Sequence, residues 1–118
     1  MDFAQMRTYL AAKPGATEEH PFDETTLVFK VAGKMFALIG ENETPARVTL
    51  KSDPDEAIAL RAQYPGVVVP GYYMNKQHWN TITLNGTIAQ EELHALADSS
   101  YTLVVSSLPK AKRTALAE

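Results

Sequence analysis

The sequence contains no cysteine among its 118 residues. Disulfide bonds, thiolate zinc sites, cysteine-ligated iron–sulfur clusters and cysteine nucleophiles are therefore excluded. The N-terminal residues also lack the basic and apolar regions of a signal peptide, so we expect a cytoplasmic protein. No apolar stretch approaches the roughly 20 residues that a membrane span requires, and we expect no contact with a membrane.

Net positive charge is also missing, because 14 acidic residues outnumber 11 basic ones and the formal net charge is −3 at pH 7. This balance argues against a protein that coats nucleic acid by bulk electrostatics, since Lys and Arg supply most non-specific affinity for phosphate. The distribution of the basic residues matters more than their sum. Several fall in predicted strands, so the protein can be acidic overall and basic on one face. These residues are Lys30, Lys34, Arg47 and Lys51.

Motifs for catalysis and cofactor binding are absent as well. The sequence has no Gly-x-Ser-x-Gly elbow and no glycine-rich phosphate loop. Glu91-x-x-His94 has the spacing of one half of a di-iron site, but a second copy is needed, and a solvated helix face is favoured. The acids at 53–56 suit a helix start better than acid–base chemistry. We therefore predict a protein that is not an enzyme and needs neither a cofactor nor a metal.

Helices are indicated at four places by apolar residues at helical spacing and by capping residues. The first begins after Asp2 and ends at 13–15, and the second begins after Asp53. A capping box at 87–90 precedes the third, and a short fourth follows Pro109. The predicted buried positions of the third helix are Leu93, Leu96, Ala97, Val104 and Leu108.

Strands are indicated by alternation at 26–31, 35–39, 47–51 and 81–84, with 67–70 extended and a hairpin turn at Ala32-Gly33-Lys34. The acidic segment 16–24 is predicted to be a connector. This order favours an α+β fold, an antiparallel sheet with helices packed on one face, in a single domain spanning 1–118. The open face would carry Thr26, Lys30, Arg47, Thr49, Lys51, Thr81 and Thr83.

The stretch GYYMNKQHWNTITL, residues 71–84, combines several site-like side chains with the start of a strand. An unbroken strand would point Lys76 and His78 into the core, which is expensive for unpaired polar groups. The phase therefore predicts a turn capped by Asn75 that keeps both side chains in solvent, with the strand beginning near Trp79.

Trp79, the only tryptophan, has two alternatives. On the open face beside Lys30 and Lys51 an exposed ring would stack on nucleic-acid bases. Alternatively, residues 72–74 cover the ring and it is buried, as single tryptophans usually are.

Short motifs run through nearly the whole chain: Lys13-Pro14-Gly15-Ala16, His20-Pro21-Phe22, Phe29-Lys30-Val31, Gly33-Lys34-Met35-Phe36-Ala37, Leu50-Lys51, Leu60-Arg61, Pro70-Gly71-Tyr72, Asn75-Lys76-x-His78-Trp79 and Ser100-Tyr101. In this order they resemble the MmcQ/YjbR family of small bacterial proteins. The resemblance implies a frataxin/CyaY-like fold with six or nearly six strands, hairpins that form a double-wing motif, and a DNA-binding function. It does not imply iron binding, because the first helix offers only Asp2 as an acid.

The leading hypothesis is a non-enzymatic DNA-binding protein, with a monomer favoured over an obligate oligomer. Its candidate phosphate contacts are Lys30, Lys34, Arg47, Lys51 and Lys76, with polar or stacking contacts from Asn75, His78 and Trp79. The alternative is a protein- or small-ligand-binding module in which Asn75 to Trp79 form a structural clasp.

Overall fold

The computed structural model describes residues 1–71 and 74–117, which contain four helices and six strands. In chain order these are α1 (Phe3–Ala11), β1 (Ala16–Glu19), β2 (Thr26–Val31), β3 (Lys34–Gly40), β4 (Arg47–Lys51), α2 (Pro54–Gln63), β5 (Val68–Pro70), β6 (Trp79–Thr83), α3 (Gln90–Ser106) and α4 (Lys110–Ala117). The strands form one antiparallel sheet in the order β1-β2-β3-β4-β6-β5. The predicted α+β class is confirmed, whereas the frataxin-like label stays a prediction.

Three helices cover one face of this sheet. Helix α3 contacts β2, β3 and β4, while α1 contacts β1 and β3, and α2 contacts β5 and β6. The strand residues that face them alternate with outward residues, as the period of two predicts. Leu27 and Phe29 of β2 and Val48 and Leu50 of β4 are all at most 2% exposed. Burial of these apolar side chains stabilises the sheet and helices together.

The hairpin between β2 and β3 confirms the predicted turn. Val31 pairs with Lys34 across a two-residue loop in which φ is +50° at Ala32 and +83° at Gly33. Positive φ at both central positions is the type I′ turn, whose twist matches that of the flanking strands. Glycine is needed at position 33 because an L side chain rarely adopts that conformation.

The prediction of a connector over 16–24 is wrong in its first part, because Ala16–Glu19 is strand β1. It pairs with β2 at the edge of the sheet, from Ala16 opposite Val31 to Glu19 opposite Val28. None of its four residues is buried. An exposed edge strand needs no apolar alternation, so the pattern that reveals the other strands is missing here.

The capping box predicted at 87–90 is also wrong. Helix α3 begins at Gln90, its N-cap is Ala89, and no side chain caps it. Asn85 Oδ1 accepts from the Thr87 N–H at 3.1 Å, which forms a turn before the helix, and Ile88 is buried between the two. Ala89 itself is still extended, with ψ of 148°, and the helix begins only at Gln90.

Among the helices that lie in the described ranges, none is long and apolar enough to cross a membrane.

Candidate nucleic-acid interface

The open face of the sheet is divided into three rows by the strand register. The lysine row consists of two groups of paired residues, Thr17, Lys30 and Met35 on β1 to β3, and Lys51 and Trp79 on β4 and β6. The threonine row consists of Glu19, Val28, Leu38, Thr49, Thr81 and Val69. The arginine row consists of Thr26, Gly40, Arg47 and Thr83. All seven residues predicted on the open face lie in these rows.

Three predicted phosphate contacts come together at one end of the sheet. Lys30 on β2 and Lys51 on β4 lie near the same end of strands that are two strand spacings, or about 10 Å, apart. Lys76 is exposed in the turn that leads into β6, whose first residue pairs with Lys51. We call Lys30, Lys51 and Lys76 the basic end.

The three lysines differ in their acidic partners. Lys30 Nζ lies 2.8 Å from Glu19 Oε2, and both side chains are partly exposed. Within residues 1–71 and 74–117, neither Lys51 nor Lys76 has an ion-pair partner. The basic end therefore has two cations whose charge no neighbouring acid in that part of the chain neutralises.

The turn before β6 confirms the interpretation of the Asn75 motif. Asn75 Oδ1 accepts from the Gln77 N–H at 2.9 Å, and the Asn75 carbonyl accepts from the N–H groups of His78 and Trp79 at 3.1 and 3.0 Å. These bonds make one capped helical turn, and strand β6 begins at Trp79 as predicted. The Lys76 side chain is exposed and His78 is half-buried, so the strand phase correctly keeps Lys76 out of the core.

Of the two alternatives for Trp79, the structure has the buried one, with 8% of the residue exposed. The Gly71 N–H donates to the Trp79 carbonyl at 2.8 Å, and a Cβ on Gly71 would lie 2.9 Å from Trp79 Cβ. The chain at 71 therefore packs directly against the tryptophan. So little exposed ring surface cannot serve as a stacking platform. Tyr72 and Tyr73, which the buried alternative expects over the ring, lie outside the described residues.

Lys34 and Arg47 are not part of the basic end. Lys34 Nζ donates to Ser107 Oγ at 3.3 Å, at the C-terminus of α3, so this side chain extends toward the helices. Arg47 lies at the other end of the open face, where Nε and Nη2 donate to the Glu43 carboxylate at 3.1 and 3.0 Å. Hydrogen bonding to Glu43 and its charge raise the pKa of Arg47. Arg47, which like Lys30 is paired with an acid, is therefore excluded from the basic end by its position.

Ser100 positions the backbone of the basic end, a role that was not predicted for it from the sequence. It is 0% exposed on α3, where Oγ donates to the Phe36 carbonyl and accepts from the Lys51 N–H at 2.8 Å. This serine therefore satisfies backbone groups of both β3 and β4. The signal was present, since a serine interrupts the apolar stripe of α3 between Ala97 and Val104.

Asn80 and Arg61 hold the turn against helix α2. Asn80 is 1% exposed, its Nδ2 donates to the Ala57 carbonyl at 3.1 Å, and its Oδ1 accepts from Arg61 Nε at 2.7 Å. Arg61 also donates to the Lys76 carbonyl. The backbone that carries the Lys76 side chain is thereby fixed from the helix side of the sheet.

Lys13, another residue of the sequence motifs, joins α1 to α3. Tyr9 Oη donates to Asp98 Oδ1 at 2.7 Å, Lys13 forms an ion pair with the same carboxylate, and the Tyr9 ring stacks on His94 at 3.9 Å. Burial opposes the charge of Asp98, but bonds from Lys13 and Tyr9 outweigh it and lower the pKa of Asp98. These groups serve to dock the first helix.

In the described part of the chain, no group of three His, Asp or Glu side chains lies close enough together to hold a metal ion.

Comparisons with known sequences place the chain among close relatives. The YjbR family model matches residues 11–103. The Escherichia coli K12 protein YjbR is 35% identical over 118 residues, which span 100% of this chain and 99% of YjbR. YbdF of Escherichia coli O157:H7 is 38% identical over 90 residues, which span 76% of this chain and 73% of YbdF. These relatives are uncharacterised, so they add no activity.

Solved structures agree with the sequence comparison. The crystal structure of Deinococcus radiodurans DR2400, a DUF419 domain, superposes with a TM-score of 0.93 at 39% identity. The match covers 98% of this chain and 88% of the DR2400 chain. The crystal structure of a Pseudomonas syringae protein superposes with a TM-score of 0.73 at 31% identity. The match covers 87% of this chain and 98% of the Pseudomonas syringae chain. Sequence and backbone both match over most of the chain, and the protein therefore belongs to the YjbR family.

Proposed function

We propose that the protein binds DNA through the basic end, with Lys30, Lys51 and Lys76 contacting phosphates. The observation that supports this proposal most strongly is the position of Lys51 and Lys76. They lie at one end of the open face, and neither has an acidic partner in the described ranges. Lysine ammonium groups without a neighbouring carboxylate are suited to neutralising phosphate.

Lys30 can also contact a phosphate, at little cost in free energy. Its ion pair with Glu19 is partly exposed, with side chains 25% and 46% accessible. Pairs of this kind contribute about 0–1 kcal/mol, so a phosphate can replace the carboxylate. The roughly 10 Å between the β2 and β4 backbones lets the two flexible lysines reach separate phosphates of one duplex.

The predicted mode of binding differs from the one that an exposed tryptophan would give. With Trp79 buried, the basic end offers charge but no aromatic face for a base from that residue. Contacts to phosphate set position and affinity but do not read sequence. We therefore expect weak binding with little sequence preference, at dissociation constants on the order of 10⁻⁵ M at physiological salt.

A salt titration of duplex binding tests the proposal, with fluorescence anisotropy of a labelled duplex as the readout. Three phosphate contacts predict a slope of about −2.7 for log K against log salt. The double variant Lys51→Gln, Lys76→Gln should reduce this slope to about −0.9 and weaken binding at low salt.

The matched control removes the same charge from α4, as Lys110→Gln, Lys112→Gln, where both residues are exposed. It should keep most of the wild-type slope. Equal loss in the two double variants would assign binding to overall charge and contradict a site at the basic end. Absence of binding to the duplex at low salt would end the DNA-binding proposal altogether.

A further inference from the structure

A groove crosses the other end of the open face, away from the basic end. Its volume is about 340 Å³, near the lower end of pockets that bind small molecules. It is lined by residues from five strands, β2 to β6, and from the segment before β4, among them the apolar Leu38 and Val69, the hydroxyl-bearing Thr49 and Thr81, and the charged Glu43 and Arg47. Its surface is therefore apolar, hydroxylic and charged in different places.

The floor of the groove is a pair of threonine hydroxyls between apolar neighbours. Thr49 Oγ1 and Thr81 Oγ1 lie 2.9 Å apart, and one donates to the other. Each hydroxyl has one donor and two acceptor sites, so one O–H and several lone pairs are not used by this bond. Leu38 and Val69 flank the two threonines in the same row. The floor can hold an apolar group beside a polar one.

One wall of the groove presents two opposite charges side by side. The Arg47 guanidinium holds the Glu43 carboxylate in a bidentate pair, and the two side chains are 51% and 40% exposed. The carboxylate lies over the backbone of Gly40, where an added Cβ would be 3.1 Å from Glu43 Oε2. An exposed pair of this type contributes little to stability and opens easily.

These charges discriminate between classes of ligand. A simple anion that binds Arg47 must displace Glu43 and leaves its carboxylate without a partner. A simple cation that binds Glu43 leaves Arg47 unpaired in the same way. A zwitterion satisfies both groups at once, because its carboxylate replaces that of Glu43 and its ammonium replaces the guanidinium.

We propose that this groove binds a free α-amino acid with an apolar side chain. The ligand carboxylate would pair with Arg47, its ammonium with Glu43, and its side chain would lie over the threonine floor beside Leu38. This site is independent of the proposed DNA contacts, since none of Lys30, Lys51 and Lys76 lines the groove.

Leucine is the probe for the test, with the protein labelled for NMR at its backbone amides and methyl groups. Saturable shift changes at Leu38, Thr49, Val69 and Thr81 below about 10 mM leucine are expected. Two analogues test the zwitterion: 4-methylpentanoate lacks the ammonium and 3-methylbutylamine lacks the carboxylate. Each should bind about two- to fivefold more weakly than leucine, because one partly exposed charge of the wall is left unpaired.

Variants locate the site and separate it from DNA binding. Arg47→Gln and Glu43→Gln should each weaken leucine binding by about two- to fivefold, and both positions are exposed enough to leave folding intact. Lys51→Gln should leave leucine binding unchanged while it weakens DNA binding. Leucine that causes no saturable shift, or either analogue binding as well as leucine, would overturn the proposal whatever the result with DNA.

Discussion

Removal of the Trp79 side chain should destabilise the protein strongly, because the ring is packed and not displayed. The residue is 8% exposed, its cross-strand partner is Lys51, and the Gly71 backbone lies against its Cβ. Truncation of a buried tryptophan to alanine costs about 3–5 kcal/mol. Trp79 lies on the open face and not between sheet and helices, so we expect about 3 kcal/mol for Trp79→Ala. For 118 residues this corresponds to a fall in Tm of about 12 °C.

Urea unfolding followed by far-UV circular dichroism measures this loss, since the variant lacks the only tryptophan and tryptophan fluorescence cannot be compared with that of the wild type. Trp79→Phe is the matched control and should recover more than half of the lost free energy, because an aromatic ring still fills most of the space. Gly71→Ala perturbs the same contact from the other side without deleting the ring and should also destabilise. A loss below about 1 kcal/mol in Trp79→Ala would refute the buried role.

Two further variants test the ties between helices and sheet. Ser100→Ala should lower the free energy of unfolding by about 2–3 kcal/mol, because two buried backbone groups lose their partner. Chemical denaturation measures this loss, and a value under about 0.5 kcal/mol would contradict the role of Ser100 in joining α3 to β3 and β4. Asp98→Asn should cost about 1 kcal/mol at pH 7, since Lys13 loses a charged acceptor and the carboxylate is partly exposed. The pKa of Asp98 is lowered in the folded state, so its stabilising contribution is complete above about pH 4 and disappears as the pH falls through the folded value. A difference between wild type and Asp98→Asn that persists undiminished at pH 2 would contradict this assignment.

The start of β6 could be predicted from the sequence, because an earlier start would bury unpaired polar side chains at a high cost in free energy. A strand that continued back from Thr83 through 76–78 would bury a lysine, and the chain avoids this with a turn capped by Asn75. The hairpin at Gly33 could also be predicted from a local requirement. Its turn needs positive φ at two adjacent residues, and glycine adopts this conformation readily.

The ion pairs and the burial of side chains on the open face could not be predicted in the same way. The ion pair that occupies Lys30 requires Glu19 on β1, and this edge strand has no apolar pattern to reveal it. The burial of Trp79 depends on the approach of the chain at Gly71, which is a tertiary contact. Strand alternation gives the face on which a side chain lies, but it does not tell which residues cover that face.

The amide chemical-shift changes that a short DNA duplex causes at low salt test the central claim most directly. Binding at the basic end predicts that the largest changes map to Thr17, Lys30, Lys51 and Lys76, with small changes at Gly40 and Arg47 in the arginine row. They should disappear as salt is raised, because phosphate contacts are lost to counterions. Changes that concentrate in the arginine row, or that spread evenly over the surface, would contradict a DNA site at the basic end.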